Sequence, residues 1–154
     1  MPDAELIYIH RPTEARPLPP GIEFVSLAEF LADEPACKTF WELITNQFRT
    51  RSKFLAIWPC VRHVCVHRDD DSRADGFLLV SAPVNWQIDY VVVKPESRGR
   101  GIASKLVTST LAQAYTHNVP YVMLTSKESL RPLYESSGFM VIPQPAAVMH
   151  GATG

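Results

Sequence analysis

The sequence predicts an α/β fold, and three observations carry that expectation. Runs rich in β-forming residues alternate with stretches whose apolar residues recur at helical spacing. One apolar strand, Trp86 to Val93, leads through the glycine-rich turn Arg98-Gly-Arg-Gly-Ile-Ala103 into an amphipathic helix. The length, 154 residues, suffices for one domain with its own core and is too short for two ordinary ones. Residues 1–154 are therefore expected to form a single domain.

The elements follow in order. Glu5–His10 alternates and is rich in β-formers, so it reads as a first strand. Pro12 and Arg16-Pro-Leu-Pro-Pro-Gly21 then break the pattern into a stiff, extended connector. Ser26 is placed to cap a helix through Leu31. Pro35 suits the opening of a second helix to about Thr50, with Phe40, Trp41, Leu43, Ile44 and Phe48 on its apolar face. Arg49, Arg51 and Lys53 follow, charges that suit a helix C-terminus or, on a sharper reading, a rim for an acidic substrate.

Val61–His67 alternates as a strand, residues 68–76 form a polar turn, and Phe77–Val80 returns as the partner. Pro83 and Asn85 make the next turn before the strand Trp86–Val93. From Gly101 to His117, Ile102, Leu106, Val107, Leu111 and Ala114 keep helical spacing, and Asn118 is a candidate C-terminal cap. Tyr121–Thr125 reads as a short buried strand. Ser129 is placed to cap a helix containing Tyr134, Gly138 to end it, and Phe139–Ile142 to form the last strand, with a frayed tail beyond Pro143.

Composition excludes several classes. With 46% hydrophobic and 20% charged residues the chain reads as soluble and globular. A formal net charge of −1 argues against non-specific nucleic-acid binding. No apolar run approaches the roughly 20 residues of a membrane helix. Met1-Pro-Asp-Ala-Glu lacks the basic and apolar segments of a secretory signal, so a cytoplasmic location is expected. Three cysteines make no disulfide framework, which fits a reducing compartment. His63, Cys65 and His67 fall on one strand face and Cys60 on the other, without the paired ligands on a turn that zinc prefers, so no metal is expected.

The chemistry concentrates at the turn after Val93. A helix N-terminus offers unpaired N–H groups and the positive end of the helix dipole, and Arg98 and Arg100 add fixed charge, so a phosphorylated cofactor is expected there. The order of residues is neither the G-x-G-x-x-G of dinucleotide sites nor the G-x-x-x-x-G-K-[ST] of P-loops. It matches R/Q-x-x-G-x-G/A, and downstream stands Leu133-Tyr-Glu-Ser-Ser-Gly-Phe139. With these two blocks in this order, the chain resembles the GNAT (Gcn5-related) N-acetyltransferase superfamily. The order of elements is similar over nearly the whole chain, with the motifs concentrated between residues 89 and 139 and the first sixty residues alike in element order only.

The resemblance implies a mixed, mostly antiparallel central sheet of about six to seven strands, about four flanking helices, and a V-shaped splay where acetyl-CoA binds. It implies that residues 86–142 hold acetyl-CoA as cosubstrate and that residues 1–60 shape the acceptor side. Main-chain groups of Val91, Val92 and Val93 are expected along the pantetheine arm. Gly99, Arg100, Gly101, Ile102, Ala103 and Ser104, with Arg98 beside them, are expected around the pyrophosphate. Tyr134 takes the family position of the acid that protonates the leaving thiolate, and a backbone N–H near Val92 or Val93 that of the oxyanion donor. Transfer is then direct to a primary amine, with no covalent enzyme intermediate.

A lysine-like amine has a pKa of roughly 10.4 and must lose a proton before it attacks. Asp89 is the first candidate to accept it, on a strand face expected to hold Gln87, Val91 and Val93 as well; Glu135 and His117 are weaker ones. Lys127 stands where many relatives carry asparagine, so the pocket near the thioester departs from the family pattern. Two other readings stay open: a catalytically silent CoA-binding sensor or partner-binding module, and a transferase acting on charged tRNA. Trp41, Trp58 and Trp86 are candidate walls of an aromatic acceptor pocket, and a homodimer through the last strand is possible on this pattern.

Overall fold

The computed structural model describes residues 5–47, 58–82 and 85–142. In chain order it holds β1 (Glu5–His10), β2 (Ile22–Ser26), α1 (Leu27–Ala32), α2 (Glu34–Gln47), β3 (Val61–Arg68), β4 (Ala74–Ser81) and β5 (Trp86–Val93). Then come α3 (Ile102–Thr116), β6 (Val122–Lys127), α4 (Arg131–Ser136) and β7 (Met140–Val141). The seven strands form one sheet in the order β2-β3-β4-β5-β6-β1-β7. Every neighbouring pair is antiparallel except β5 and β6, which are parallel.

Alternation along the strands feeds two apolar layers, one on each face of this sheet. Cys65, Leu78, Val80 and Ile88 meet Ile102, Leu106, Val107 and Leu111 of α3, with Tyr134 and Phe139 in the same layer. Val64, Val66, Phe77, Leu79 and Val92 meet Phe30 of α1 and Phe40, Leu43 and Ile44 of α2. The central strand β4 is buried from Ala74 to Val80 because both faces are covered. Gly76 lets α3 come close: a Cβ there would lie 2.8 Å from Ile102 Cγ2 and 3.2 Å from Leu106 Cδ1.

Helix ends follow their local chemistry. Glu29 N–H donates to Ser26 Oγ at 3.2 Å and Ser26 N–H to Glu29 Oε1 at 3.3 Å, a capping box that opens α1 as expected. At the end of α3, Asn118 adopts φ 58°, Val119 N–H donates to the Ala114 carbonyl (2.9 Å) and Asn118 N–H to that of Tyr115 (3.0 Å). This is the Schellman arrangement, with asparagine in the left-handed position.

Three local features depart from the sequence reading. Ile22–Ser26 is a strand, pairing with β3 through Phe24↔Cys65 and its neighbours. Its five residues are hidden in sequence between the proline run and the helix cap. Ser129 does not cap α4; it sits in a 3-10 turn, Glu128–Leu130, that runs directly into the helix, whose N-cap is Leu130 without a side-chain cap. Pro132 in the first turn lacks an N–H, so one donor fewer needs a cap there. The last strand is shorter than Phe139–Ile142, because Phe139 turns inward onto Tyr134 at a ring separation of 5.9 Å. Phe48, Arg49, Arg51, Lys53, Pro83, the tail beyond Pro143 and the side chain of Trp58 lie outside the described residues.

Candidate active site

Two irregularities of β5 build the site. On one side β5 pairs with β6 only through Trp86↔Val122 and Gln87↔Met123, and beyond these the two parallel strands part. On the other side Leu79 pairs with Tyr90 and Val80 with Ile88, leaving Asp89 as the extra residue of a β-bulge. The inserted residue changes which side chains face which layer. Ile88, Val91 and Val93 belong to the α3 layer, and Tyr90 and Val92 to the α1–α2 layer. The expected face shared by Asp89, Gln87, Val91 and Val93 is therefore wrong in part: Asp89 stays with Gln87 and Ser81, and Val91 and Val93 lie on the opposite face. Strict period-two alternation fails wherever a bulge adds a residue.

On the α3 face a cavity of about 300 Å³ runs from the parted strand to the loop before α3. Val91 and Val93 form one wall, Leu130, Leu133 and Tyr134 another, and Ser97, Arg98, Gly99, Gly101, Ile102, Ala103 and Ser104 the end. Eight of the ten residues expected around the cofactor thus line one cavity. Val92 buries its side chain in the other layer, which leaves only its main chain for that role, and Arg100 is not among the residues that line the cavity. Ser97 and Leu130 carried no sequence signal, whereas Leu133 stood inside the tyrosine block. A smaller cavity, about 180 Å³ between His10, Arg16, Thr108 and Ser137, contains none of the expected residues.

The loop is shaped for an anion. Gly99 and Gly101 adopt φ 79° and 73°, and Gly101 is the N-cap of α3, with no side chain to occupy the first N–H groups of the helix. The Arg98 guanidinium Nε donates to the Val93 carbonyl at 3.2 Å, tying the loop to the end of β5.

Tyr134 is 5% exposed, and burial raises its phenol above the usual tyrosine value, with the Ser126 hydroxyl opposing the shift. It therefore carries its proton at neutral pH. Across the sheet, burial pushes Asp89 up to about 6, against the lowering effect of Ser81 and Gln87. Its Oδ2 is buried without a hydrogen-bond partner among the described residues. A carboxylate that is half desolvated and half unsatisfied is poised to take a proton.

The weaker candidates are engaged elsewhere. Glu135 is exposed and accepts from Arg131 Nε at 3.0 Å. His117 caps α3 and packs with His63 and Trp86 at ring separations of 5.5 and 5.3 Å, and none of the three lines the cavity. His63, Cys65 and His67 share the α3 face and then go separate ways. His63 stacks on Phe24, Cys65 is buried with its thiol pushed up to about 12, and His67 meets Asp75 at 2.5 Å. Among the described residues no three or more His, Cys, Asp or Glu side chains converge, and no described helix is long and apolar enough to cross a membrane.

Comparison with known proteins agrees with this geometry. The family profile described as the acetyltransferase (GNAT) domain matches residues 38–153. A GCN5-related N-acetyltransferase from Sphaerobacter thermophilus superposes with a TM-score of 0.66 at 20% identity, over 90% of this chain and 48% of that one. A GNAT-family protein from Novosphingobium aromaticivorans superposes at 0.62 and 21%, over 92% and 61%. This chain thus spans about half to three fifths of the length of those two. An aminoglycoside acetyltransferase from an uncultured soil sample gives 0.62 at 17% identity, over 81% and 92%. Glucosamine-6-phosphate N-acetyltransferase from Arabidopsis thaliana gives 0.58 at 19%, over 80% and 94%. No curated protein matches the sequence at a significant level. A seven-stranded sheet that parts between its two parallel strands, joined to a profile match over three quarters of the residues, identifies the chain as a member of the GNAT acetyltransferase family.

Proposed function

We propose that the protein is an acetyl-CoA-dependent N-acetyltransferase that moves acetyl directly to a primary amine. One observation carries this reading: β5 and β6 part where a proton-bearing Tyr134 borders a cavity ended by the glycine loop on one face and an unsatisfied Asp89 stands on the other. The residues present fit acetyl-CoA. Left-handed glycines and free helix N–H groups suit its pyrophosphate, and the apolar wall of Val91, Val93, Leu130 and Leu133 suits its pantetheine arm.

When bound, acetyl-CoA supplies an acetyl group activated as a thioester, open to attack by a neutral amine. Asp89 Oδ2 accepts the proton that the ammonium form of the acceptor must lose. Tyr134 Oη donates its proton to the departing sulfur, while the Ser126 hydroxyl hydrogen-bonds the phenol oxygen. An N–H of the unpaired β5 edge, near Val92 or Val93, steadies the oxygen that gains charge. Residues 86–142 hold the cosubstrate in this account, and residues 1–60 shape the acceptor side.

Two fold neighbours act, by name, on an amino-sugar phosphate and on aminoglycosides, so amino sugars are the first acceptors to try. The test measures release of CoA thiol from acetyl-CoA with glucosamine-6-phosphate, kanamycin, spermidine, a peptide with a free α-amine and a peptide with a single lysine. Turnover above the hydrolysis rate with at least one amine supports the reading. Tight binding of acetyl-CoA without acetylation of any of them favours a silent CoA-binding module instead.

A further inference from the structure

We propose that Tyr8, on a strand outside the residues matched by the family profile, is a positioning residue that holds the Tyr134 phenol against the cavity. β1 lies between β6 and β7, and Tyr8 stands opposite Leu124 on one side and Val141 on the other. Its side chain is fully buried, and its ring centre is 5.2 Å from that of Tyr134 at an angle of 50°. The Tyr8 hydroxyl donates to the Lys127 carbonyl at 3.4 Å, a strut that fastens the ring to the end of β6. Phe139 packs on Tyr134 as well, at 5.9 Å and 77°.

Tyr134 needs this support because of where it sits. α4 has six residues and no side-chain cap, so the helix alone is too short to fix the direction of a side chain. The ring is therefore held by what packs on it, and Tyr8 is a contact that is itself fastened by a hydrogen bond to the end of β6, the strand that leads into α4. Aromatic pairs prefer such tilted arrangements at ring separations of about 4.5–7 Å. Misdirecting a proton donor by even about 1 Å can reduce turnover by up to about a hundredfold.

The inference rests on the acid role of Tyr134, and a double-mutant cycle separates the two. With the panel amine that turns over fastest, Tyr8→Leu lowers kcat about tenfold and Tyr8→Phe about threefold, while KM for acetyl-CoA stays within about twofold. In a Tyr134→Phe background neither substitution changes kcat further. Equal losses in both backgrounds, or no loss in either Tyr8 variant, overturn the inference. If Tyr134→Phe alone leaves kcat unchanged, the acid role has failed instead. The hold itself is then read without any acceptor, by 19F NMR of protein labelled with 3-fluorotyrosine. The resonance that vanishes in Tyr134→Phe shifts or broadens in Tyr8→Leu, and an unmoved line in that variant contradicts the proposal. Tyr8→Phe keeps the ring and the packing, so it remains available should Tyr8→Leu not fold.

Discussion

Asp89 and Tyr134 stand on opposite faces of the sheet, at the place where β5 and β6 part. A thioester held between the strands would meet a proton acceptor from one side and a proton donor from the other. The bulge makes this arrangement, because without the extra residue Asp89 would share one face with both Gln87 and Val91. Four consequences can be measured.

Asp89→Asn should lower kcat/KM about a hundredfold at pH 7 and abolish the acid limb of its pH profile, which in the native protein should lie near the group's value of about 6. An acid limb that persists in the variant would assign the proton acceptor elsewhere.

The same substitution should stabilise the fold. Asp89 is raised to about 6 in the native state, above its unfolded value, so keeping it ionised opposes folding above pH 6 and ceases to do so as pH falls toward 4. Asp89→Asn should gain about 1 kcal/mol above pH 6, after allowance for solvent screening, and nothing near pH 4. Urea unfolding at the two pH values measures this, and an equal gain at both would remove the titration as its cause.

Tyr134→Phe should lower kcat by about ten- to a hundredfold and change the affinity for acetyl-CoA by less than about twofold. Burial raises the native phenol, so the donor form persists through neutral pH and is lost only above the usual tyrosine range. Steady-state kinetics from pH 6 to above 10, beside isothermal titration with CoA, give both quantities. Native turnover in the variant would leave Tyr134 as a packing residue.

Gly76→Ala should act at a distance from chemistry. Its Cβ would stand 2.8 Å from Ile102 Cγ2, at the first turn of α3, so the Ile102 side chain or the helix must give way. The expected loss of stability is about 1–3 kcal/mol, with weaker acetyl-CoA binding because Ile102 also lines the cavity. A thermal melt and a binding titration check it; unchanged values would mean that α3 adapts without strain.

How far the sequence could be read follows from these elements. The glycine loop at the end of the cavity was legible because its glycines, arginines and helix are contiguous, and Tyr134 because it sits in a seven-residue block. The α1 capping box and the left-handed Asn118 were legible for the same local reason. The bulge was not, since it arises from pairing between β4 and β5 and nothing in Ile88-Asp-Tyr90 announces an inserted residue. β2 was hidden because five residues between a proline run and a helix cap give too little alternation to count. Tyr8 read as a strand residue, and only the placement of β1 between β6 and β7 brings it to Tyr134. What depends on distant strands meeting is not written in any local window.

Binding of acetyl-CoA to the loop before α3 tests the account most directly, by thermal shift of the native protein and of Gly101→Asp. At about a hundred times its Kd, acetyl-CoA or CoA should stabilise the native protein by about 2.7 kcal/mol, several degrees in Tm, while ATP and NAD give no rise. Gly101→Asp, which sets a negative charge at the N-cap of α3 in place of a glycine at φ 73°, should lose the response. No rise with acetyl-CoA in the native protein, or an undiminished rise in Gly101→Asp, would contradict the assignment of this cavity.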